Sequence, residues 1–209
     1  MRTFRKLICS IICLSFACLL SCRQSDNRPG ENEPLQKAGS SESQLYNKKL
    51  RILTTIAPLY SFAKNIAGDA ASVENLLPSG TDPHEYSLSP EDMIKINRAQ
   101  VIIKNGAGLE KWLDKLIPDQ SSSSGEKPVI VDSASGVNII NNDPHIWLSP
   151  RNVMVQVNNI NDALTKADPV NSNLYRKNAA AYLKRLEDLD REITDIVGRL
   201  EKKEFVSLH

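Results

Sequence analysis

The amino-acid sequence predicts an α/β fold in which a parallel sheet is flanked by helices and followed by one long helix. Three observations lead to this prediction. Short apolar runs alternate with segments of helical periodicity between residues 50 and 167. The strand-like runs are continuously apolar, as in strands that are buried on both faces of a parallel sheet. From residue 168 to about residue 200, apolar residues keep a helical period.

The predicted strands are four short apolar runs, each followed by a turn or a helix start. They cover residues 50–55, 73–77, 101–103 and 129–131. In a parallel sheet the carboxyl ends of the strands share one rim, and ligands bind along that rim. The loops that follow these strands are therefore the first place to look for a functional site.

The predicted helices begin at proline or at Ser-Pro, where proline suits the first helical position and serine suits the N-cap, except for the helix at 109–117, which follows the turn Asn105-Gly106-Ala107-Gly108. They cover residues 58–67, 89–99, 109–117 and 149–167, and Asp168-Pro169 restarts a helix that continues to about residue 200. A helix of thirty residues is roughly 45 Å long, which exceeds the size of a domain of ~160 residues. We therefore expect this helix to lead to further structure.

The first 21 residues have the pattern of an export signal. A basic start precedes an apolar run from residue 7 to residue 20, which is shorter than the ~20 residues of a membrane span. Cys22 follows Leu19-Leu20-Ser21, an arrangement that resembles a bacterial lipoprotein signal in which this cysteine is acylated. The alternative is an ordinary signal with a chance cysteine.

Composition narrows the range of functions for the exported chain. Cys9, Cys13 and Cys18 lie in the signal, so Cys22 is the one cysteine left and no internal disulfide is expected. Removal of three basic residues with the signal leaves 26 − 3 = 23 basic against 25 acidic residues, a net charge of −2. No basic tract is present, and nucleic acid is not an expected partner. Residues 22–48 are polar and predict a disordered tether.

A tripeptide that occurs twice is the strongest functional signal. Asp82-Pro83-His84 and Asp143-Pro144-His145 contain two of the three histidines, and Ser-Pro helix starts follow both motifs. Neutral imidazole is the commonest metal ligand in proteins, and proline restricts the backbone next to each histidine. The sequence therefore predicts that His84 and His145 bind one metal ion at the rim of the sheet. His209, at the end of a strand-like run, is a weaker candidate.

The residues around the motifs have open roles. Each motif aspartate can cap its loop or hydrogen-bond the second ring nitrogen of its histidine, and loop capping is favoured because Asp-Pro turns do this without metal. We expect Tyr86, Trp112 and Trp147 to serve packing rather than function.

The motifs at 82–86 and 143–150, with Asp168-Pro169 followed by Tyr175, Asn178 and Tyr182, resemble the metal-binding lipoproteins of bacterial zinc and manganese ABC importers. The resemblance runs from about residue 50 to residue 209. It implies two α/β lobes joined by one long helix, with the metal held between them. It also implies that His84, His145 and His209 are metal ligands, and that the metal is Zn²⁺ rather than Mn²⁺.

The resemblance also implies a domain layout. A lipoprotein signal peptide occupies 1–21, a disordered tether 22–48, an N-terminal α/β metal-binding lobe 49–167 and a long linking helix 168–202. Residues 203–209 are the first strand of a C-terminal lobe. The rest of that lobe, with the family's fourth ligand, is absent from the sequence. The chain is therefore expected to be either a fragment or a truncated gene product, and both remain open.

The expected function is that of a receptor that captures divalent metal outside the cytoplasm and delivers it to the permease of an ABC importer. We expect a monomer, held by its lipid anchor on the outer side of the cytoplasmic membrane or in the periplasm. One alternative is a zinc hydrolase with Glu85 as the base, since three histidines and an open position also suit catalysis; no further catalytic motif accompanies it. A second alternative is a surface adhesin lipoprotein involved in cell adhesion.

Overall fold

The computed structural model describes residues 49–115, 127–202 and 204. Within them, four strands form one parallel sheet in the order β2-β1-β3-β4. The strands are β1 (Leu50–Thr54), β2 (Ala71–Asn75), β3 (Val101–Lys104) and β4 (Val129–Asp132). The predicted fold class is confirmed for this part of the chain.

The second strand begins two residues earlier than its predicted range of 73–77. Leu76 and Leu77 are buried like strand residues, and their backbone N–H groups donate to the carbonyl oxygens of Thr54 and Thr55 at 2.8 and 3.2 Å. The two leucines thus continue beside β1 after the regular ladder has ended. The prediction included the two leucines in the strand because an apolar run indicates burial, whether or not the residues belong to the regular ladder.

Five helices accompany the sheet in the described part of the chain. They are α1 (Ala57–Ala67), α2 (Pro90–Arg98), α3 (Lys111–Asp114), α4 (Pro150–Ala167) and α5 (Ser172–Gly198). Single 3-10 turns at Ile146–Leu148 and Pro169–Asn171 precede α4 and α5. The predicted helix 109–117 is observed only as α3, and its last two residues lie outside the described residues.

The helices bury the sheet from both sides. Helix α1 packs on β1 and β2, α4 packs on β3 and β4, and α5 lies across α1 and α4. Helix α2 packs against β1, and the right-handedness of parallel crossovers places it on the opposite face from α1. Because β3 lies between these layers, Val101, Ile102 and Ile103 are almost fully buried.

The strand order positions the functional loops. The chain leaves β1 toward β2 on one side and leaves β3 toward β4 on the other, so the order reverses between the two central strands. A reversal of this kind opens a crevice at the carboxyl ends of the strands. The first Asp-Pro-His motif follows β2 and the second follows β4. The two motifs therefore approach this crevice from the two outer strands.

The two Ser-Pro helix starts differ in detail. At α2, the Asp92 backbone N–H donates to Ser89 Oγ at 3.2 Å and the Ser89 backbone N–H donates to Asp92 Oδ2 at 2.9 Å, a complete capping box. At α4, Ser149 occupies the N-cap without a side-chain hydrogen bond. Both helices begin at the predicted proline, although only the first serine caps its helix through its side chain.

Helix α5 has 27 residues and is about 40 Å long. The part of the helix up to Leu186 packs inward through Tyr175, Ala179 and Leu186, which are buried. Its second half exposes an apolar stripe that includes Leu189, Ile193 and Ile196. That this helix links two lobes stays a prediction, because residues 205–209 lie outside the described residues.

The described part of the chain has no helix that combines the length and apolar character needed to cross a bilayer.

The turn after β3 depends on glycine. Gly106, Ala107 and Gly108 all have positive φ angles, of 78°, 53° and 78°. A β-carbon on Gly106 would lie 1.9 Å from Oδ1 of Asp132, and this oxygen accepts the backbone N–H of Ala134 at 3.0 Å. The side chain of Asp132 thus occupies the space that any side chain at residue 106 would need.

We expect Gly106→Ala to destabilise the protein more than Gly136→Ala does. Gly136 has a similar φ of 80° with nothing within 4 Å of its β-carbon position. Its alanine variant should lose only the roughly 1–2 kcal/mol of left-handed strain. Gly106→Ala should cost about 1 kcal/mol more, because Asp132 must give up its hydrogen bond to Ala134. Urea unfolding of both variants measures the difference, and equal losses would show that Asp132 moves without cost.

Candidate metal centre

The two motif histidines meet at the rim of the sheet. Their Nε2 atoms lie 3.3 Å apart, and the ring centroids are 5.2 Å apart with an angle of 58° between the ring planes. His84 is exposed and His145 is partly buried. The structure thus brings together two predicted ligands that are 61 residues apart in the chain.

The motif aspartates hold the backbone of the two loops. Asp82 Oδ1 accepts the His84 backbone N–H at 2.8 Å, and Asp143 Oδ1 accepts the His145 backbone N–H at 2.9 Å. Asp143 Oδ1 also lies 2.6 Å from Nδ1 of the His145 ring. The favoured loop-capping role applies to both aspartates, and Asp143 in addition contacts the second ring nitrogen. A carboxylate in that position orients the ring and makes its other nitrogen more basic.

The aromatic residues near the motifs pack as expected. The ring of Trp147 meets the His145 ring edge-on, with centroids 5.1 Å apart, and Tyr86 meets Trp112 in the same way at 5.4 Å. The Tyr86 hydroxyl donates to Asp92 at 2.7 Å, and this bond is the main reason that the pKa of Tyr86 rises to about 12. Trp112 also has a polar role, because its Nε1–H donates to the Pro83 carbonyl at 2.9 Å.

A buried polar network lies beneath the second loop, and the sequence did not reveal it. Asn105 is fully buried, and its Nδ2 donates to the Pro144 carbonyl at 2.9 Å. Gln156 Nε2 donates to Asn105 Oδ1 at 3.2 Å and to Ser133 Oγ at 2.9 Å. One clue to this network was available in the sequence: Gln156 is a polar residue on the apolar face of α4. In the structure it is fully buried, like its neighbour Val157.

Glu110 is a buried carboxylate at the same place. Its Oε1 accepts the Thr55 hydroxyl at 2.6 Å and the Asn105 backbone N–H at 2.7 Å, and its Oε2 accepts the Gly106 N–H at 3.0 Å. Burial raises the pKa of Glu110 above its ordinary value, although these hydrogen bonds favour the ionised form and oppose the shift. Glu110 therefore ties the end of β1 to the turn that follows β3.

The geometry of the two imidazoles suits a metal ion. In tetrahedral zinc sites the Zn–N distance is about 2.05 Å, which places two coordinated nitrogens about 3.3 Å apart. The observed distance between the Nε2 atoms has this value. Among the residues that the structure describes, no group of three or more His, Cys, Asp or Glu side chains forms a metal cluster. Two ligand candidates are thus in place here, while His209 and Cys22 lie outside the described residues.

Comparison with known proteins identifies relatives over most of the chain. The family model described as "ZnuA: Zinc-uptake complex component A periplasmic" matches residues 52–209. The high-affinity zinc uptake system protein ZnuA of Bacillus subtilis is 31% identical over 191 residues, covering 82% of this chain and 58% of that protein. The manganese ABC transporter substrate-binding lipoprotein PsaA of Streptococcus pneumoniae is 35% identical over 186 residues, covering 82% and 59%.

A solved structure supports the same relationship. The Zn(II)-bound ZnuA-like domain of Streptococcus pneumoniae AdcA is similar to this chain with a TM-score of 0.71 and 34% identity, covering 77% of this chain and 60% of that one. The chain spans about six tenths of the length of these relatives. The parallel sheet and its flanking helices are therefore a fold that it shares with part of a longer protein.

We expect Asp143→Asn to weaken Zn²⁺ binding by about tenfold, the scale on which outer-shell partners of metal-binding histidines act. Asp82→Asn is the matched control, because each asparagine keeps an oxygen that can accept the histidine N–H, while only Asp143 contacts an imidazole ring. Isothermal titration of both variants measures the difference. Equal affinities in the two variants would show that the ring contact of Asp143 contributes nothing.

Proposed function

The chain belongs to the family described as zinc-uptake complex component A, periplasmic, and from that premise we propose that it is an extracytoplasmic receptor for a divalent metal ion. In this role it captures the ion outside the cytoplasm and presents it to the permease of an ABC-type importer. The ion is cargo, bound and released unchanged.

One observation carries the proposal: the Nε2 atoms of His84 and His145 lie 3.3 Å apart. Their loops come from opposite edges of the sheet, so their meeting is a product of the fold rather than of nearness in the chain. Two imidazole nitrogens at this distance can share one cation. The proposed ligands are His84, His145 and His209, the last from beyond the described residues.

We propose Zn²⁺ as the principal cargo, with Mn²⁺ bound less tightly. Imidazole nitrogens suit zinc, whereas carboxylate and carbonyl oxygens suit manganese, and all three proposed protein ligands here are imidazoles. The names of the relatives include both zinc and manganese. The donor set of this chain therefore supplies the reason for preferring zinc.

The alternative functions have less support. The relatives named above are binding proteins of metal transporters and not enzymes, and Glu85, the base that a hydrolase would need, is exposed to solvent. None of the described contacts favours an adhesin over a receptor. The metal receptor is thus the function that the site supports best.

The export signal and anchor form the second part of the proposal. We propose that residues 1–21 are removed, that Cys22 is acylated, and that residues 22–48 tether the metal-binding lobe to the membrane surface. Relatives of this chain are named as lipoproteins, and the family is described as periplasmic.

We expect His84→Ala and His145→Ala each to weaken Zn²⁺ binding by more than the roughly 10–100-fold that loss of an outer-shell partner costs. Zn²⁺ should bind more tightly than Mn²⁺ to the unaltered chain, and isothermal titration measures both. Asp69→Asn is the control, because this side chain is 98% exposed and precedes β2 at the opposite rim. Submicromolar zinc binding that survives both histidine substitutions would contradict the proposal.

We expect Cys22→Ala to release the protein from the membrane fraction of bacteria that express it, because the acylated side chain is lost. Metabolic labelling with a fatty acid, followed by fractionation, measures anchoring and acylation together. A Cys22→Ala protein that still carries label would place the lipid on another residue.

A further inference from the structure

The two histidine loops are held from a single segment of the chain. We call residues 105–112, which follow β3 and reach into α3, the bracket. Its Trp112 donates to the Pro83 carbonyl and its Asn105 donates to the Pro144 carbonyl, both at 2.9 Å. In each case the acceptor is the carbonyl of the proline directly before the histidine.

That position has a physical consequence, because a peptide unit is planar. The Pro83 carbonyl and the His84 N–H belong to one peptide unit, whose oxygen is held by Trp112 and whose N–H is held by Asp82. With both ends of the plane held, the α-carbon of His84 has a defined position. Relative to this peptide plane, the imidazole can then move by rotation about the N–Cα bond and about its two side-chain bonds.

The second loop repeats this arrangement. The peptide unit between Pro144 and His145 is held at its oxygen by Asn105 and at its N–H by Asp143. The Pro144 carbonyl also accepts the Ile146 N–H at 2.8 Å within its own loop. The side chain of Asn105 therefore connects this carbonyl to the end of β3.

The bracket is itself fixed to the core. The Glu110 carboxylate accepts the backbone N–H groups of Asn105 and Gly106 and the hydroxyl of Thr55 at the end of β1. Gln156 of α4 donates to the side-chain oxygen of Asn105, so the Nδ2 of Asn105 faces Pro144. Since Asn105, Glu110 and Gln156 are each at most 1% exposed, water does not compete for these bonds.

We propose that the bracket sets the separation and orientation of the two imidazoles, and that Trp112 and Asn105 are positioning residues for metal capture. Trp112 acts through His84 and Asn105 acts through His145. Neither residue is proposed to touch the metal. The effect on metal affinity rests on the proposed function, whereas the effect on the imidazoles does not.

The first test is a Zn²⁺ titration of the whole chain and its variants. Trp112→Phe keeps an aromatic ring beside Tyr86 and removes the Nε1 donor, and Asn105→Ala removes the other donor. We expect each to weaken zinc binding by about tenfold. Asn178→Ala is the matched control, because Asn178 also donates from Nδ2 to a distant backbone carbonyl, that of Ile66 at 3.0 Å, away from the site. Its affinity should stay within twofold of the unaltered chain.

The second test separates positioning from a general structural role. In a His84→Ala background, Trp112→Phe should cause no further loss of affinity, whereas Asn105→Ala should keep its effect; in a His145→Ala background the pattern should reverse. Losses that are equal in both backgrounds would overturn the proposal. If Asn105→Ala does not fold, as judged by circular dichroism, the Trp112→Phe arm decides, because that variant retains its packing.

The third test does not depend on metal. Carbon-13 relaxation of the histidine rings in metal-free protein should show increased mobility of His84 in Trp112→Phe and of His145 in Asn105→Ala, each with the other ring unchanged. If the rings are as rigid in the two variants as in the unaltered chain, the proposed role of the bracket is overturned, even if the chain binds zinc. Rings that respond as described in a chain that binds no zinc would retain the bracket and overturn the proposed function.

Discussion

The site depends on the order of the strands in the sheet. Because β1 and β3 occupy the centre and β2 and β4 the edges, the loops after the two outer strands lean toward the same crevice. Each loop brings one Asp-Pro-His motif to it. The 3.3 Å distance between the Nε2 atoms follows from this topology together with the hydrogen bonds that fix each loop. Without the reversal of strand order, the same motifs would stand apart on one rim.

Much of the fold was predictable because its signals are local. Continuous apolar runs predicted strands with two buried faces, and Ser-Pro predicted the starts of α2 and α4 at Pro90 and Pro150. The repetition of Asp-Pro-His predicted which histidines would meet, since both follow strands and strand ends share a rim. These inferences needed no knowledge of which residues touch across the sheet.

The supporting residues could not be predicted, because their roles depend on contacts between distant parts of the chain. Trp112 has the appearance of a core residue, and only the fold shows that its N–H reaches a carbonyl 29 residues earlier. Asn105 resembles an ordinary turn residue before glycine, and Glu110 an ordinary surface charge on a helix. Their burial results from the approach of β1, α4 and the second loop. Gln156 was the one visible exception, as a polar residue on an apolar face.

The bracket also affects how thermal motion reaches the site. Both histidine loops are hydrogen-bonded to the same short segment, the bracket. A displacement of the bracket therefore moves both rings in the same direction. This shared motion leaves the distance between the two Nε2 atoms unchanged. If each loop were instead attached to a different segment of the chain, the two segments would move independently and the distance would fluctuate. The distance between the two Nε2 atoms is therefore insensitive to movement of the bracket as a whole.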